Sequence, residues 1–345
     1  MNFIKKNGIG ILLCLVIAIP AWLFGKAFPV IGGAVPAIIA GMIITMIWNN
    51  KVKAEAGIKW TSKAILQSAV VLLGFGMNLG VIFQTGKQSL PIIVCTITTS
   101  LIIAWILQKV LKVPANTAVL VGVGSSICGG SAIAATAPVI DADDNEIAQS
   151  IAVIFFFNVL AAIFFPILGA AIGFDTVHGD AFGIFAGTAI NDTSSVTAAA
   201  STWDSMWNLG SETLNKAVTV KLTRTLAIIP ITLGLSMIWA RRSAKEGRQA
   251  AKFSFRKAFP MFILYFVLAA IITTVCVHMG IDAEVFHPLK ELSKFMIIMA
   301  MAAIGLNSNV IQLIKTGGKP MIVGASCWCG ITAVSLIMQH IMKIW

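Results

Sequence analysis

Charge is what this 345-residue chain has least of: Asp, Glu, Lys and Arg together make up 11% of it, against about 25% in ordinary soluble domains. Tyrosine occurs once, and the four histidines (178, 278, 287, 340) are scattered without a spacing that would gather them. HExxH and GxSxG are absent, so the sequence gives no ground for a metallohydrolase or a serine esterase. GxGxxG and the Walker spacing are also missing, which removes the usual nucleotide-binding loops. The six cysteines (14, 95, 128, 276, 327, 329) lie mostly in apolar runs, and Cys327-Trp-Cys329 has neither CxxC spacing nor a partner histidine. Buried, inert thiols are expected for all six, with no metal site. No polar stretch is long enough for a separate soluble domain.

What remains is hydrophobicity. With 58% apolar residues and a mean hydropathy of +0.91, lipid is the expected solvent for most of the chain. A single integral membrane domain is therefore expected over residues 1–345. The net charge of +11 does not point to nucleic acid, because most Lys and Arg sit in short loops between apolar runs. Apolar segments of roughly spanning length fall at about 9–28, 33–48, 60–83, 89–108, 116–140, 147–173, 178–202, 213–240, 258–280, 286–310 and 319–342. The fold class read from them is an all-α polytopic membrane protein of about 11 segments. Lys5-Lys6 followed by an apolar run lacks a small-x-small cleavage site, so the first segment reads as a retained span.

With the N-terminus inside, seventeen of the 25 basic residues fall on the cytoplasmic side and six on the other, while Lys221 and Arg224 lie within a span. That asymmetry predicts a cell-membrane protein with a cytoplasmic N-terminus and an external C-terminus. The loops 141–146 and 174–180 contain no Lys or Arg. Segments 116–140 and 178–202 could therefore be spans or re-entrant hairpins without disturbing the charge pattern.

Two stretches interrupt these apolar segments: Gly122-Val-Gly-Ser-Ser-Ile-Cys-Gly-Gly-Ser131 and Gly187-Thr-Ala-Ile-Asn-Asp-Thr-Ser-Ser195. Backbone that leaves the helix at membrane depth needs protein or a watery cavity to satisfy it, and in transporters such breaks bind substrate and ions. The first places Gly124, Ser125, Ser126, Gly129, Gly130 and Ser131 as candidates for binding a small solute. The second adds Asn191, Thr193 and Ser194, together with Asp192, the one carboxylate expected deep in the membrane and the candidate for coupling to H⁺ or Na⁺. Lys221 and Arg224, three apart, share a helix face and suit an anion or neutralisation of Asp192. Close helix packing by small residues is the plainer alternative for the glycines. Snorkelling to an interface is the plainer alternative for the two cations.

An internal repeat is also visible. Ser62-Lys63…Gly74…Asn78…Thr85-Gly86 recurs as Ser293-Lys294…Gly305…Asn309…Thr316-Gly317, running in the opposite sense across the membrane. A weaker match relates the two polar breaks; if they are inverted copies, both are hairpins entering from opposite faces.

The run 124–140, the run 187–195 and Lys221-Leu-Thr-Arg224 together resemble the YeiH-like family, whose members carry the label of sulfate exporters. The likeness covers essentially the whole chain. It implies a membrane transporter related to the cation/proton antiporter and anion transporter group, with inverted repeats, a scaffold and a core. The family's second motif has His where this chain has Asn191, so a proton-carrying role is not carried over to that position. The expected function is secondary active transport of a small anion such as sulfate, another sulfur oxyanion or an organic acid, coupled to H⁺ or Na⁺. A homodimer is compatible with this. A non-transporting membrane sensor or assembly subunit and a passive anion channel are the rivals.

Overall fold

The computed structural model describes residues 2–28, 33–48, 51–75, 77–245, 261–307 and 310–345. Asn309, the second member of the Asn78/Asn309 pair, lies outside them, as do Arg248, Lys252, Arg256 and Lys257. Every regular element among the described residues is helical. In chain order these are α1 (Asn2–Ala27), α2 (Ala34–Ile47), α3 (Val52–Trp60), a π-helical turn (Thr61–Ile65) and α4 (Leu66–Gly74). Next come α5 (Leu79–Leu111), α6 (Ala115–Ser126), α7 (Gly130–Thr136), α8 (Asp144–Ile172), α9 (Asp180–Ala189) and α10 (Thr193–Trp207). The remainder are α11 (Glu212–Thr225), α12 (Ile228–Lys245), α13 (Met261–His278), α14 (His287–Asn307) and α15 (Val310–Ile341). Among the described residues, six helical stretches are long and apolar enough to cross a membrane.

The boundaries have local causes. Asn78 caps α5 by accepting from Gly80 N–H at 2.7 Å, so α5 starts at Leu79 and runs through residues 84–88, where the hydropathy pattern suggests a loop. Asp143 and Glu146 form a reciprocal capping box that starts α8, and Gly173 ends it in the left-handed conformation. Pro230 has no N–H to donate back to Leu226, and the segment expected as one helix over 213–240 is divided there into α11 and α12. In α15 a break at Gly318, just before Pro320, divides the helix.

Packing exploits small residues, as helix contacts do when hydrophobic burial offers no drive between them. A Cβ on Gly57 would lie 2.0 Å from the Asn7 carbonyl, and one on Gly305 2.2 Å from that of Ile38, so α1 meets α3 and α2 meets α14 backbone to backbone. Around α9 and α10 the core is aromatic instead: Phe182 stacks on the fully buried Trp203 at 4.2 Å, and Phe165, Phe174 and Phe185 fill in beside α8.

Candidate functional site

Both polar stretches form helical hairpins. In the first, α6 ends at Ile127, Gly129 adopts φ +69° and donates to the Gly124 carbonyl at 2.9 Å, and α7 leads back. The chain leaves by the end it entered, because Asn116 at the start of α6 donates to Glu146 at the start of α8 (3.0 Å) and Ser150 donates to the Thr117 carbonyl (3.5 Å). In the second, α9 ends at Ile190 and Asp192 caps α10 by accepting from Ser194 N–H and its hydroxyl. Its two arms also begin and end together. The Asp204 carboxylate near the end of α10 accepts from Thr213 and Leu214 N–H at 2.9 Å each, while Gly179 before α9 packs directly on Thr213. Helix α8, about 43 Å long at 1.5 Å per residue, separates the two hairpin bases. The hairpins thus enter the bundle from opposite ends.

Their tips meet. The Asp192 N–H donates to Asn158 on α8 at 3.3 Å, and the position a Cβ would take on Gly129 is 3.3 Å from Asp192 Cβ and 3.5 Å from Asn158 Nδ2. Only glycine fits Gly129, by its positive φ and by this proximity.

Behind the tips stands α11. Lys221 Nζ donates to the carbonyls of Ile127 (2.6 Å) and Ile190 (3.0 Å). Arg224 donates through Nε to Ser126 (2.7 Å), through Nη2 to Ser125 (2.7 Å), and through Nη1 to Thr188 (2.7 Å) and Ile190 (3.3 Å). Both side chains are 0% exposed, so neither snorkels. A helix C-terminus carries unpaired carbonyls and about half a negative charge. Here two of them, the ends of α6 and α9, converge in the interior, and the ammonium and guanidinium satisfy both. The bonds of Lys221 and Arg224 thus run to backbone carbonyls, and neither borders the cavity described below. No ion pair joins Asp192 to either cation among the described residues.

A cavity of about 830 Å³ opens beside the outgoing arms. Gly130, Ser131, Asp192, Thr193 and Ser194 form its floor, with Lys59, Ser62, Lys63 and Asn307 around it at the end of the bundle where α8 begins. Ser62 and Lys63 reach it from the π-helical turn, a distortion frequent at functional sites. The structure therefore divides the expected residues. Gly130, Ser131, Asp192, Thr193 and Ser194 face the cavity, whereas Gly124, Ser125, Ser126, Gly129 and Asn191 are packed in the tips. The Ser125 hydroxyl and both amide atoms of Asn191 are buried there without a hydrogen-bond partner among the described residues. At the other end a second cavity of about 840 Å³ lies between Asn78, Gln84 and Lys87 on one side and Asp180, Glu212 and Lys216 on the other. Lys216 bridges it to Asp180 (3.0 Å) and Gln88 (3.1 Å).

Two residues escaped the sequence reading. Asp204 is 4% exposed, a second interior carboxylate, but it falls two residues beyond the apolar segment that ends at 202. Its signal was the helix start at Ser211-Glu-Thr-Leu214, whose free N–H groups need an acceptor. Asn158, an isolated polar residue within the apolar run of α8, stands at the hairpin tips. The cysteines are also not uniformly buried: Cys329 is exposed and Cys95 and Cys276 are half-buried.

Known proteins agree with the membrane class. A UPF0324 membrane protein of Streptococcus mutans is 59% identical over 337 residues, 97% of each chain. One of Streptococcus pyogenes is 57% identical over 336 residues, again 97% of each, and one of Fusobacterium nucleatum is 54% identical over 347 residues, covering 97% of this chain and 98% of that one. The model of the family described as Conserved hypothetical protein 698 matches residues 9–324, and with full-length relatives at this identity the chain belongs to that family of membrane proteins.

Proposed function

We propose that the chain is a secondary transporter of a small anion, coupled to H⁺ or Na⁺, and built as one integral unit. In this reading the two hairpins are re-entrant, dipping from opposite faces, and nine further segments cross: α1, α2, α3 with α4, α5, α8, α11 with α12, α13, α14 and α15. The N-terminus is cytoplasmic and the C-terminus external, in accord with the charge asymmetry. The inverted repeat then relates α3–α5 to α14–α15 and the first hairpin with α8 to the second hairpin with α11 and α12, in permuted order.

One observation carries the reading: two broken helices from opposite ends meet at a point that a large cavity reaches. A carboxylate, Asp192, shares the floor with a helix N-terminus that favours anions. Substrate and carboxylate repel unless a proton or Na⁺ arrives with the substrate, and this supplies coupling. Lys221 and Arg224 hold the crossing together instead of touching the solute. The cavity favours the transporter over a non-transporting subunit, for which a packed centre would suffice. Uptake of labelled anions into proteoliposomes under imposed H⁺ and Na⁺ gradients tests it. Wild-type flux that follows one gradient and vanishes in Asp192→Asn is expected. Gradient-independent flux would mean a channel, and no flux for any anion would end the proposal.

A further inference from the structure

The cavity is not shaped for a bare inorganic oxyanion. Its hydrogen-bonding groups cluster at two places, the floor at the hairpin tips and the rim at Lys59, Ser62, Lys63 and Asn307, with Gln67 on α4 between them. Between them the walls are apolar: Leu66 and Val70 on α4, Ala152 and Phe155 on α8, Phe262 on α13 and Ile304 on α14. Phe155 reaches the floor itself, its ring carbon 3.8 Å from where a Cβ on Gly130 would be. A tetrahedral dianion needs donors on every side when it leaves water, and polar groups buried without partners are costly. Here the floor supplies donors on one side, and apart from Gln67 the walls give little in return for the lost hydration.

Resting on the reading of this cavity as the substrate site, we infer that the substrate is an organic anion with an apolar body. Its charged oxyanion head, a carboxylate or sulfonate, sits at Ser131, Thr193 and Ser194, and its apolar body lies along Phe155 and Phe262. The volume of about 830 Å³ is in the range of pockets that enclose whole organic ligands.

Calorimetric titration of the full chain in lipid nanodiscs with benzenesulfonate, methanesulfonate and sulfate tests this, since the first two share a head group and differ in the apolar body. Benzenesulfonate is expected to bind roughly tenfold or more tighter than methanesulfonate, the effect of burying a ring of several carbons, and sulfate more weakly than either. Phe155→Ser is expected to bring benzenesulfonate close to methanesulfonate, and Phe262→Ser, on a different helix, does the same should the first variant fail to fold. Sulfate binding as tightly as benzenesulfonate, or a preference unchanged in a folded Phe155→Ser or Phe262→Ser variant, would overturn the substrate class yet leave anion transport standing. If none of the three anions binds and proteoliposomes carry no anion flux, both readings fall.

Discussion

Replacing Arg224 by methionine should damage this protein more than the same change at Lys221. Among the described residues Arg224 is the sole side-chain donor to the carbonyls of Ser125, Ser126 and Thr188, while Ile190 keeps Lys221 at 3.0 Å. Each carbonyl left buried without a partner costs about 1–3 kcal/mol. Three of them suggest about 3–9 kcal/mol, reduced because the guanidinium no longer has to be desolvated. A net loss of about 4 kcal/mol is a sizeable share of a stability that is commonly 5–15 kcal/mol. In a chain of this size it lowers the melting temperature by about 5–6 °C. Lys221→Met leaves only Ile127 without a side-chain donor, a loss of about 1–3 kcal/mol and a few degrees. The assay is thermal unfolding of each variant in one detergent, after size-exclusion chromatography has shown a monodisperse peak. Arg224→Met melting within about 2 °C of the parent, or above Lys221→Met, would refute the idea that the guanidinium bolts two helix ends together.

Other consequences can be checked separately. Gly129→Ala forces a side chain into φ +69° against Asp192, so a loss of about 1–2 kcal/mol in thermal unfolding is expected. Asp204→Asn can accept from only one of the Thr213 and Leu214 N–H groups and should lower stability by about 1.5–3 kcal/mol, with Asp204→Ala at least as severe; equal melting curves would count against the anchor. Membrane-impermeant maleimide labelling of Ala142→Cys and Val177→Cys, with the native cysteines replaced, distinguishes hairpins from spans. If both stretches are re-entrant, position 142 labels from the cytoplasmic side and 177 from outside, and if both cross, the two results are exchanged.

Composition and periodicity were enough to read the solvent of this chain, its helices and the two places where helix gives way. Those are properties of short windows: apolar runs of membrane length, glycines with hydroxyl residues between them, an Asp where no charge is otherwise tolerated. They missed the boundary between α4 and α5, because Met77 to Phe83 is as apolar as the helices around it and only the Asn78 cap marks the change. Whether residues 115–139 cross or return depends on Asn116 meeting Glu146, thirty positions away, and no local pattern encodes that pairing. The roles of Lys221 and Arg224 are decided at longer range still, since carbonyls of both hairpins, 31 to 99 residues upstream, take their donors. A buried cation reads the same in sequence whether it awaits a ligand or closes a helix end. Only the fold brings the unpaired carbonyls to it, and their need for hydrogen bonds away from water settles which it does.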